Sequence, residues 1–518
     1  METNGSPGTR PGVRWWPAVV LVAMAAAAVA WEWSQDVPFQ RKNLSAIGIV
    51  GGHAIALLFW WVGASGASVR ARAIGTLVVL VAVALPVSLL RIRGVSGDLL
   101  PVFEPRWRRA GPVALANPSP PQASSSLVVP GEYPQFLGPD RNGIVPGPEP
   151  ETDWKAHPPR ELWRTPVGTG WSGFAVSAGR AVTHEQAGDE ERLVCRDAAT
   201  GAIQWTHAES GHYATTIAGE GPRATPTIAG GRVYALGSLG TLVCVDLATG
   251  GLAWHRSLRD EVGAGVPSWG FSGSPLVAGG RVIVSAGGSE GRSVVAFDAM
   301  TGARSWASGD EGNSYGSPLA TVLDGVPQVV VFGGRSVAAH DATSGKLLWK
   351  QAWGVGQPLV AMPVVTGPDR LVVSAGYGVG AEMFVVRRAA GDTWTVRSEW
   401  VSKRMKAKFS NPVRLGGMVV GLDDGILAAI DLADGHALWK EGRYGHGQSL
   451  LCGGVLLVMA ESGELVALRP DATGPHELAR TRVFSGKTWN PVALAGDRLY
   501  LRNDTEAACL RIDRHPGR

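Results

Sequence analysis

Three clusters of side chains in the C-terminal third carry what chemistry this chain offers. Lys406, Lys408 and Asn411 come first, then Arg443, Tyr444, His446 and Gln448, then Lys487, Trp489 and Asn490. Asp423 and Asp424 stand between the first two clusters, and Arg502, Asn503 and Asp504 follow the third. Cations interleaved with amides recognise carboxylate or phosphate groups, and an aromatic face adds a stacking surface. A polycarboxylate, a sugar acid or an acidic peptide would suit such a set. The same residues also fit solvated loops whose cations simply face water. Oxygens from Asp423, Asp424, Asn503 and Asp504 suit Ca²⁺ by chemistry, but no spacing makes them a cage, and no metal is assigned. His207, His212 and His255 are scattered without ligand spacing. No nucleophile elbow, phosphate loop or glycosidase-type carboxylate pair occurs.

The elements that must position these residues announce themselves by repetition. Asp246-Leu-Ala-Thr249-Gly250 ends a strand, turns, and is followed by Trp254. The pattern recurs at Asp197, Gly201 and Trp205, at Asp298, Gly302 and Trp306, at Asp341, Gly345 and Trp349, and at Asp431, Gly435 and Trp439. Aspartate caps the turn through its side chain, glycine takes the left-handed position, and tryptophan offers its area to a neighbouring unit. These residues are structural, not catalytic. Successive turn aspartates from 197 to 341 fall 49, 52 and 43 residues apart, and Trp349, Trp394 and Trp439 are spaced by 45. Such a period means one supersecondary unit per repeat. Within 223–258 four short strands alternate with Gly-rich turns, which describes a propeller blade. The expected fold is therefore all-β, an eight-bladed propeller of four-stranded antiparallel blades, with seven blades as the alternative count. The last unit, 489–512, lacks a fourth strand, and Glu161-Leu162-Trp163-Arg164-Thr165 is free to supply it and remove the open edges. In such a fold the three clusters occupy connectors leading into the sixth, seventh and eighth blades. In propellers, ligands usually meet the loops that open onto one end of the central channel, where Trp171 and Trp269 could supply aromatic walls.

The first hundred residues differ. Val13–Trp31, Leu44–Val62 and Ala73–Leu90 are apolar runs long enough to cross a bilayer, flanked by Trp15, Trp16, Trp31, Trp33, Trp60 and Trp61. About three transmembrane helices is the simplest arrangement; a signal peptide cleaved after Ala28-Val29-Ala30 is the rival. Both place the remainder on the same side if the N-terminus starts inside. Arg70 and Arg72 agree with that orientation, whereas Arg91, Arg93, Arg106, Arg108 and Arg109 oppose it, so charge alone leaves it open. His53 lies within the second run and suits either a helix-packing hydrogen bond or a proton or quinone role. The expected organisation is a membrane anchor at 1–95, a Pro/Ala/Ser-rich spacer at 96–131 and the propeller at 132–518. The net charge of +4 and the lack of any basic run give nucleic acid no foothold as a partner. Cys195, Cys244 and Cys509 stand where other repeats have Ala296, Ala339 and Ala429, and Cys452 aligns with Ala229 and Ala278. All four therefore read as small buried hydrophobes.

Repeated Asp-x-x-Thr-Gly-x-x-x-Trp on eight four-stranded blades resembles the pyrroloquinoline-quinone (PQQ)-type propellers over about residues 133 to 518. That superfamily includes quinoprotein alcohol and glucose dehydrogenases and the non-enzymatic propeller lipoprotein of the outer-membrane assembly machine. More narrowly, Phe136-Leu-Gly-Pro-Asp-Arg-Asn-Gly143, Gly421–Gly425, Gly442–Gln448 and Gly486–Asn490 resemble bacterial PQQ-binding-like β-propeller repeat proteins. The resemblance implies two roles. One is a membrane-anchored ligand- or protein-binding module on the outer face of the bacterial inner membrane, with an envelope protein or an anionic small molecule as partner. The other is a PQQ- and Ca²⁺-dependent alcohol or sugar dehydrogenase feeding membrane quinone. The adjacent cysteine pair of many such dehydrogenases is missing.

Overall fold

The computed structural model describes residues 12–35, 37–107, 131–354 and 356–514. Contacts divide the chain into two compact units, 1–110 and 111–518.

In the first unit, α1 (Trp16–Ser34), α2 (Phe39–Gly63) and α3 (Val69–Leu89) are each long and apolar enough to cross a membrane. None buries its apolar stretch against protein, as lipid-facing helices require. α1 runs unbroken through Ala28–Ala30. His53 Nδ1 donates to Ile49 O, one turn back in α2, at 2.8 Å, so its own helix satisfies one of the two ring nitrogens. α3 is followed directly by β1 (Leu90–Val95), which pairs antiparallel with β2 (Pro101–Pro105). β1 closes the stretch expected as anchor, and the turn and β2 occupy the start of the stretch expected as spacer; residues 108–130 of that stretch lie outside the described residues.

The second unit is an eight-bladed propeller. Blades 1 to 7 span 175–210, 227–257, 276–308, 319–352, 364–402, 413–443 and 448–482. Blade 8 has three strands from 493–511 and takes its outer strand from the N-terminal side as β4 (Arg160–Pro166), with Cys509 opposite Trp163. The strand expected to close the ring does so.

Each turn motif fastens two blades. Asp246 Oδ1 accepts from the backbone of Ala248 and Thr249 and from Thr249 Oγ1 at 2.9–3.0 Å. Gly250 then adopts φ +73°, and a Cβ there would lie 2.6 Å from the Trp205 ring of the preceding blade. Trp205 Nε1 donates to Leu247 O of the same turn at 2.9 Å. Gly302 seats Trp254 and Gly345 seats Trp306 in the same way, and Gly201 seats Trp163 from β4. Blade 5 departs from this rule. Trp400, not Trp394, sits on Gly435 and donates to Leu432 O, because the outer strand of blade 5 is long and starts early, at Trp394. The spacing of 45 residues through Trp394 was therefore not the structural period. The turn before blade 5's outer strand also lacks the motif, and Trp349 donates instead to Gln328 Oε1 at 2.6 Å. The register accounts for three cysteines: Cys195, Cys244 and Cys509 lie opposite Trp205, Trp254 and Trp163, where Ala296 and Ala429 lie opposite Trp306 and Trp439. All four cysteines are buried and unpaired.

One end of the channel is occupied by the chain itself. Residues 131–145 run against the innermost strand of every blade, or the residues leading into it. Gly131 abuts Gly496, Tyr133 bridges to Val176, and Pro134 O accepts from Ile228 N at 2.7 Å. Arg141 donates to Ser274 O and Pro275 O, each at 3.0 Å, and Leu137 clusters with Leu319 and Met362. Gly143 approaches Val413, and β3 (Ile144–Val145) adds a parallel strand beside Leu451 and Cys452 of blade 7.

Candidate functional site at the propeller mouth

In five of the eight blades the connector ends in a hydroxyl or amide residue followed by proline, just before the new inner strand. Thr225 Oγ1 accepts from Gly173 N, Ser274 Oγ from Thr225 N, and Ser317 Oγ from Ser274 N, at 2.9–3.0 Å. Asn411 belongs to this ring, its Oδ1 accepting from Met362 N at 2.8 Å. So does Asn490, whose Nδ2 donates to Gly170 O and Ser172 O at 3.0 and 2.8 Å. Both amides join blade to blade. Proline fixes the backbone and lacks an N–H, so the residue before it must answer the neighbour's donor. The Ser/Thr/Asn-Pro pairs at 225, 274, 317, 411 and 490 carry this signal in the sequence.

Four other expected residues are also structural in their contacts. Arg502 is buried and donates to Thr183 Oγ1, His184 O and Gly168 O of the blade 8–blade 1 seam at 2.7–3.1 Å; burial pushes its guanidinium down to about 10. Asn503 Oδ1 caps its own turn through Thr505 and Glu506. Tyr444 packs in the blade 6–blade 7 core, its hydroxyl donating to Glu477 Oε2 at 3.4 Å, and Gln448 Nε2 donates to Phe409 O at 2.9 Å. Arg443 is exposed at the end of an outer strand, and Asp504 is half-buried.

The rest converge on the mouth as a charged knot beside an aromatic collar. Lys408 is fully buried, with Nζ 3.3 Å from Asp424 Oδ1 and donating to His446 Nε2 at 3.4 Å. Lys406 Nζ lies 3.6 Å from Asp423 and 3.4 Å from Asp424, and Lys440 Nζ lies 2.9 Å from Asp423. Asp423 and Asp424 are buried, and carboxylates there must be paired to stay charged. From His446 the collar runs through Phe409 (5.4 Å between ring centroids) to Trp489 (4.8 Å) and Trp171 (4.9 Å). Lys487 Nζ stands over both tryptophans, 3.9 Å from the Trp489 ring and 4.6 Å from that of Trp171. In the other direction Lys408 lies over Tyr377, which neighbours Trp269, which in turn stacks near Tyr315 at 4.9 Å. Arg223 sits over Tyr213, and burial brings its guanidinium down to about 10. Burial also raises the phenols of Tyr213, Tyr315 and Tyr377, so the collar's hydroxyls stay protonated. Tyr213, Arg223, Tyr315, Tyr377 and Phe409 were not among the residues expected from the sequence. For two of them a signal existed: Tyr315 and Phe409 each stand two residues before a Ser-Pro or Asn-Pro pair.

A family model described as outer membrane protein assembly factor BamB matches residues 155–268, 215–441 and 333–515, well over half of the chain. The chain belongs to this propeller family. No curated protein matches it. Among solved structures, BamB from Moraxella catarrhalis is similar over 69% of this chain and 98% of its own, with 17% identity and a TM-score of 0.50. Quinohemoprotein alcohol dehydrogenase from Comamonas testosteroni is similar over 74% of this chain and 80% of its own, with 15% identity and a TM-score of 0.53. The corresponding figures for the quinohemoprotein alcohol dehydrogenase ADHIIG from Pseudomonas putida HK5 are 74%, 81%, 13% and 0.53. Identities this low establish the shared fold and nothing of the site.

Proposed function

We propose that this is a membrane-anchored binding module of the bacterial cell envelope, holding an anionic partner at the aromatic, cationic mouth of its propeller. The observation that carries this is the state of the mouth's carboxylates. A carboxylate can act as a general base or bind Ca²⁺ only when it is not already held by cations. Asp423 is engaged by Lys406 and Lys440, and Asp424 by Lys406 and Lys408. What stays partly exposed is Trp269, Tyr315, Tyr377, Phe409 and Lys487, a surface for stacking and for negative charge. Ca²⁺, which the resemblance pairs with PQQ, finds no cage of carboxylates among the described residues. Among the described residues no three His, Cys, Asp or Glu side chains gather as metal ligands. No reaction step is assigned through the quinone. The family's description as an assembly factor favours a protein partner, and an acidic segment of an envelope protein is what the cations suit. An anchor at 1–95, a spacer at 96–131 and a propeller at 132–518, with three crossings from an N-terminus inside, would set the propeller on the periplasmic face of the inner membrane.

Two measurements on the detergent-solubilised full chain test the reading. A fluorescent glutamate-rich peptide should bind in a salt-sensitive manner, and Lys487→Ala or Trp489→Ala should weaken it at least tenfold. Gel filtration after adding PQQ and Ca²⁺ should leave no quinone absorbance with the protein. Retained quinone with dye reduction by an alcohol or sugar would replace this reading with the dehydrogenase. A reporter fused after residue 130 that is active only in the cytoplasm would overturn the periplasmic placement.

A further inference from the structure

The hairpin β1–β2 displays what a water-exposed hairpin avoids. Ile92 pairs with Phe103 across the strands, and the two side chains are 52% and 59% exposed. Trp107, just past β2, is 69% exposed, and Leu100 beside the turn is 48% exposed. Successive residues of a strand point to opposite faces, so the next pair, Arg91 with Glu104, lies on the other side. Arg91 Nη2 is 2.6 Å from Glu104 and Arg93 Nε 3.9 Å from it. A lone two-stranded hairpin is marginal in water and needs a surface on which to bury its apolar face.

That surface is indicated by how the hairpin is fastened. Gln40 Nε2 donates to Gly97 O and Asn43 Nδ2 to Asp98 O, both at 2.9 Å. Arg106 Nε donates to Val87 O and Leu90 O at 3.2 and 3.0 Å. α2 begins at Phe39 and α3 ends at Leu89, so every tie lies at one end of the helices, where Trp31 and Trp33 close α1 with 70% and 47% exposure. Among the described residues the other end carries the short loop 64–68, drawn in by Arg72 through Ala67 O and Val62 O, and residues 12–15, tied to it by Arg14 N donating to Ser65 O.

We propose that the hairpin 90–105, with Trp107, lies in the headgroup layer of the bilayer spanned by α1–α3 and engages anionic phospholipid. Ile92, Phe103 and Trp107 face the hydrocarbon boundary, continuing the aromatic belt begun by Trp31 and Trp33. Arg91 and Arg93, on the opposite face, stand at phosphate depth, where a guanidinium makes charge-assisted bonds to phosphate oxygens. Over 90–107 Arg91, Arg93 and Arg106 stand against Asp98 and Glu104, and this excess of positive charge favours anionic headgroups. This placement rests on the helices crossing a membrane and is independent of what the propeller mouth binds.

The test uses the full chain in nanodiscs. The four native cysteines are buried, so a single engineered thiol takes an environment-sensitive nitrobenzoxadiazole label selectively. Phe103→Cys is compared with Asp189→Cys on an exposed propeller turn. The label at 103 should emit further to the blue, be quenched by lipid carrying a shallow nitroxide, and be several-fold less accessible to iodide than the label at 189. Ile92→Cys, on the same face, should repeat this result should Phe103→Cys disturb the hairpin. Replacing part of the phosphatidylcholine with phosphatidylglycerol should increase the protection, and Arg91→Gln/Arg93→Gln should abolish that increase while keeping the protection itself. Equal iodide access at 103, 92 and 189 would overturn the placement. Protection indifferent to phosphatidylglycerol would overturn the anionic-headgroup contact.

Discussion

At Gly250 the chain asks one residue for two things, a left-handed backbone and an absent side chain. An alanine in that conformation costs about 1–2 kcal/mol, and displacing the ring 2.6 Å from its Cβ costs about 1–3 kcal/mol more. Gly280 shares the φ of +73° but has nothing within 4 Å of a built Cβ. Gly250→Ala should therefore lose about 3 kcal/mol in chemical denaturation, against about 1 kcal/mol for Gly280→Ala. Equal losses would mean that the backbone angle alone selects glycine. The sequence disclosed the left-handed requirement, because a turn states it locally. It could not disclose the tryptophan seat, which belongs to the next blade. His184 makes a second case. Burial brings its imidazole down to about 3, against about 6.5 in an unfolded chain. Between those values the unfolded state binds more protons, so its contribution is complete above about pH 6.5 and declines as the pH falls, by up to about 1.4 kcal/mol per unit. Buried Glu185 and Glu191, raised by desolvation, act in the opposite sense. The difference between wild type and His184→Gln isolates the histidine: the gap in denaturation midpoint should shrink from about pH 7 to about pH 5. A constant gap would contradict the assignment.

At the scale of elements, the closure by β4 was legible because a propeller with three strands in its last blade needs a fourth, and Glu161–Thr165 belonged to no other unit. The seam it forms depends on Arg502, which ties blade 8 to the connector after β4 and to blade 1. Arg502→Met leaves those carbonyls buried without donors, a loss of about 3 kcal/mol. Hydrogen exchange should speed up in β4 and blade 1 while blades 3 to 6 keep their protection; a uniform loss would deny the seam a special role. The mouth was less legible. Lysines in connectors read equally as ligand contacts and as solvated charge, and only the fold brings Asp424 beneath Lys408. That pairing makes Lys408→Met costly, by about 3 kcal/mol, since it leaves buried Asp424 with Lys406 alone. Adding Asp424→Leu to Lys408→Met should recover part of the loss. If the double variant is no more stable than the single, the two groups are not a pair. Asn411 and Asn490 were misleading for a different reason. An amide before proline has the same composition whether it faces a ligand or a neighbouring blade.

For the whole molecule, the repeat revealed the architecture and concealed the part that does not repeat. Residues 131–145 make a different contact with each of eight blades, so no period betrays them. Yet this segment touches the innermost strand of every blade, or the residues beside it. Arg141 is its anchor: buried, bonded to Gln135 Oε1, Ser274 O and Pro275 O, and lowered by burial to about 9, still charged at neutral pH. Blades otherwise hold only their neighbours, and an array built that way can lose one blade while the rest persist. A segment bound to all eight converts such local openings into a single event. Arg141→Met keeps the apolar stem and removes the fork, so it should cost about 3 kcal/mol and, more tellingly, should broaden the unfolding transition. Hydrogen exchange should then show blades opening at different denaturant concentrations where wild type opens them together. If the variant frays only at 131–145 while the blades still unfold as one, the propeller's cooperativity resides in the tryptophan seats between blades and the segment merely occupies the channel.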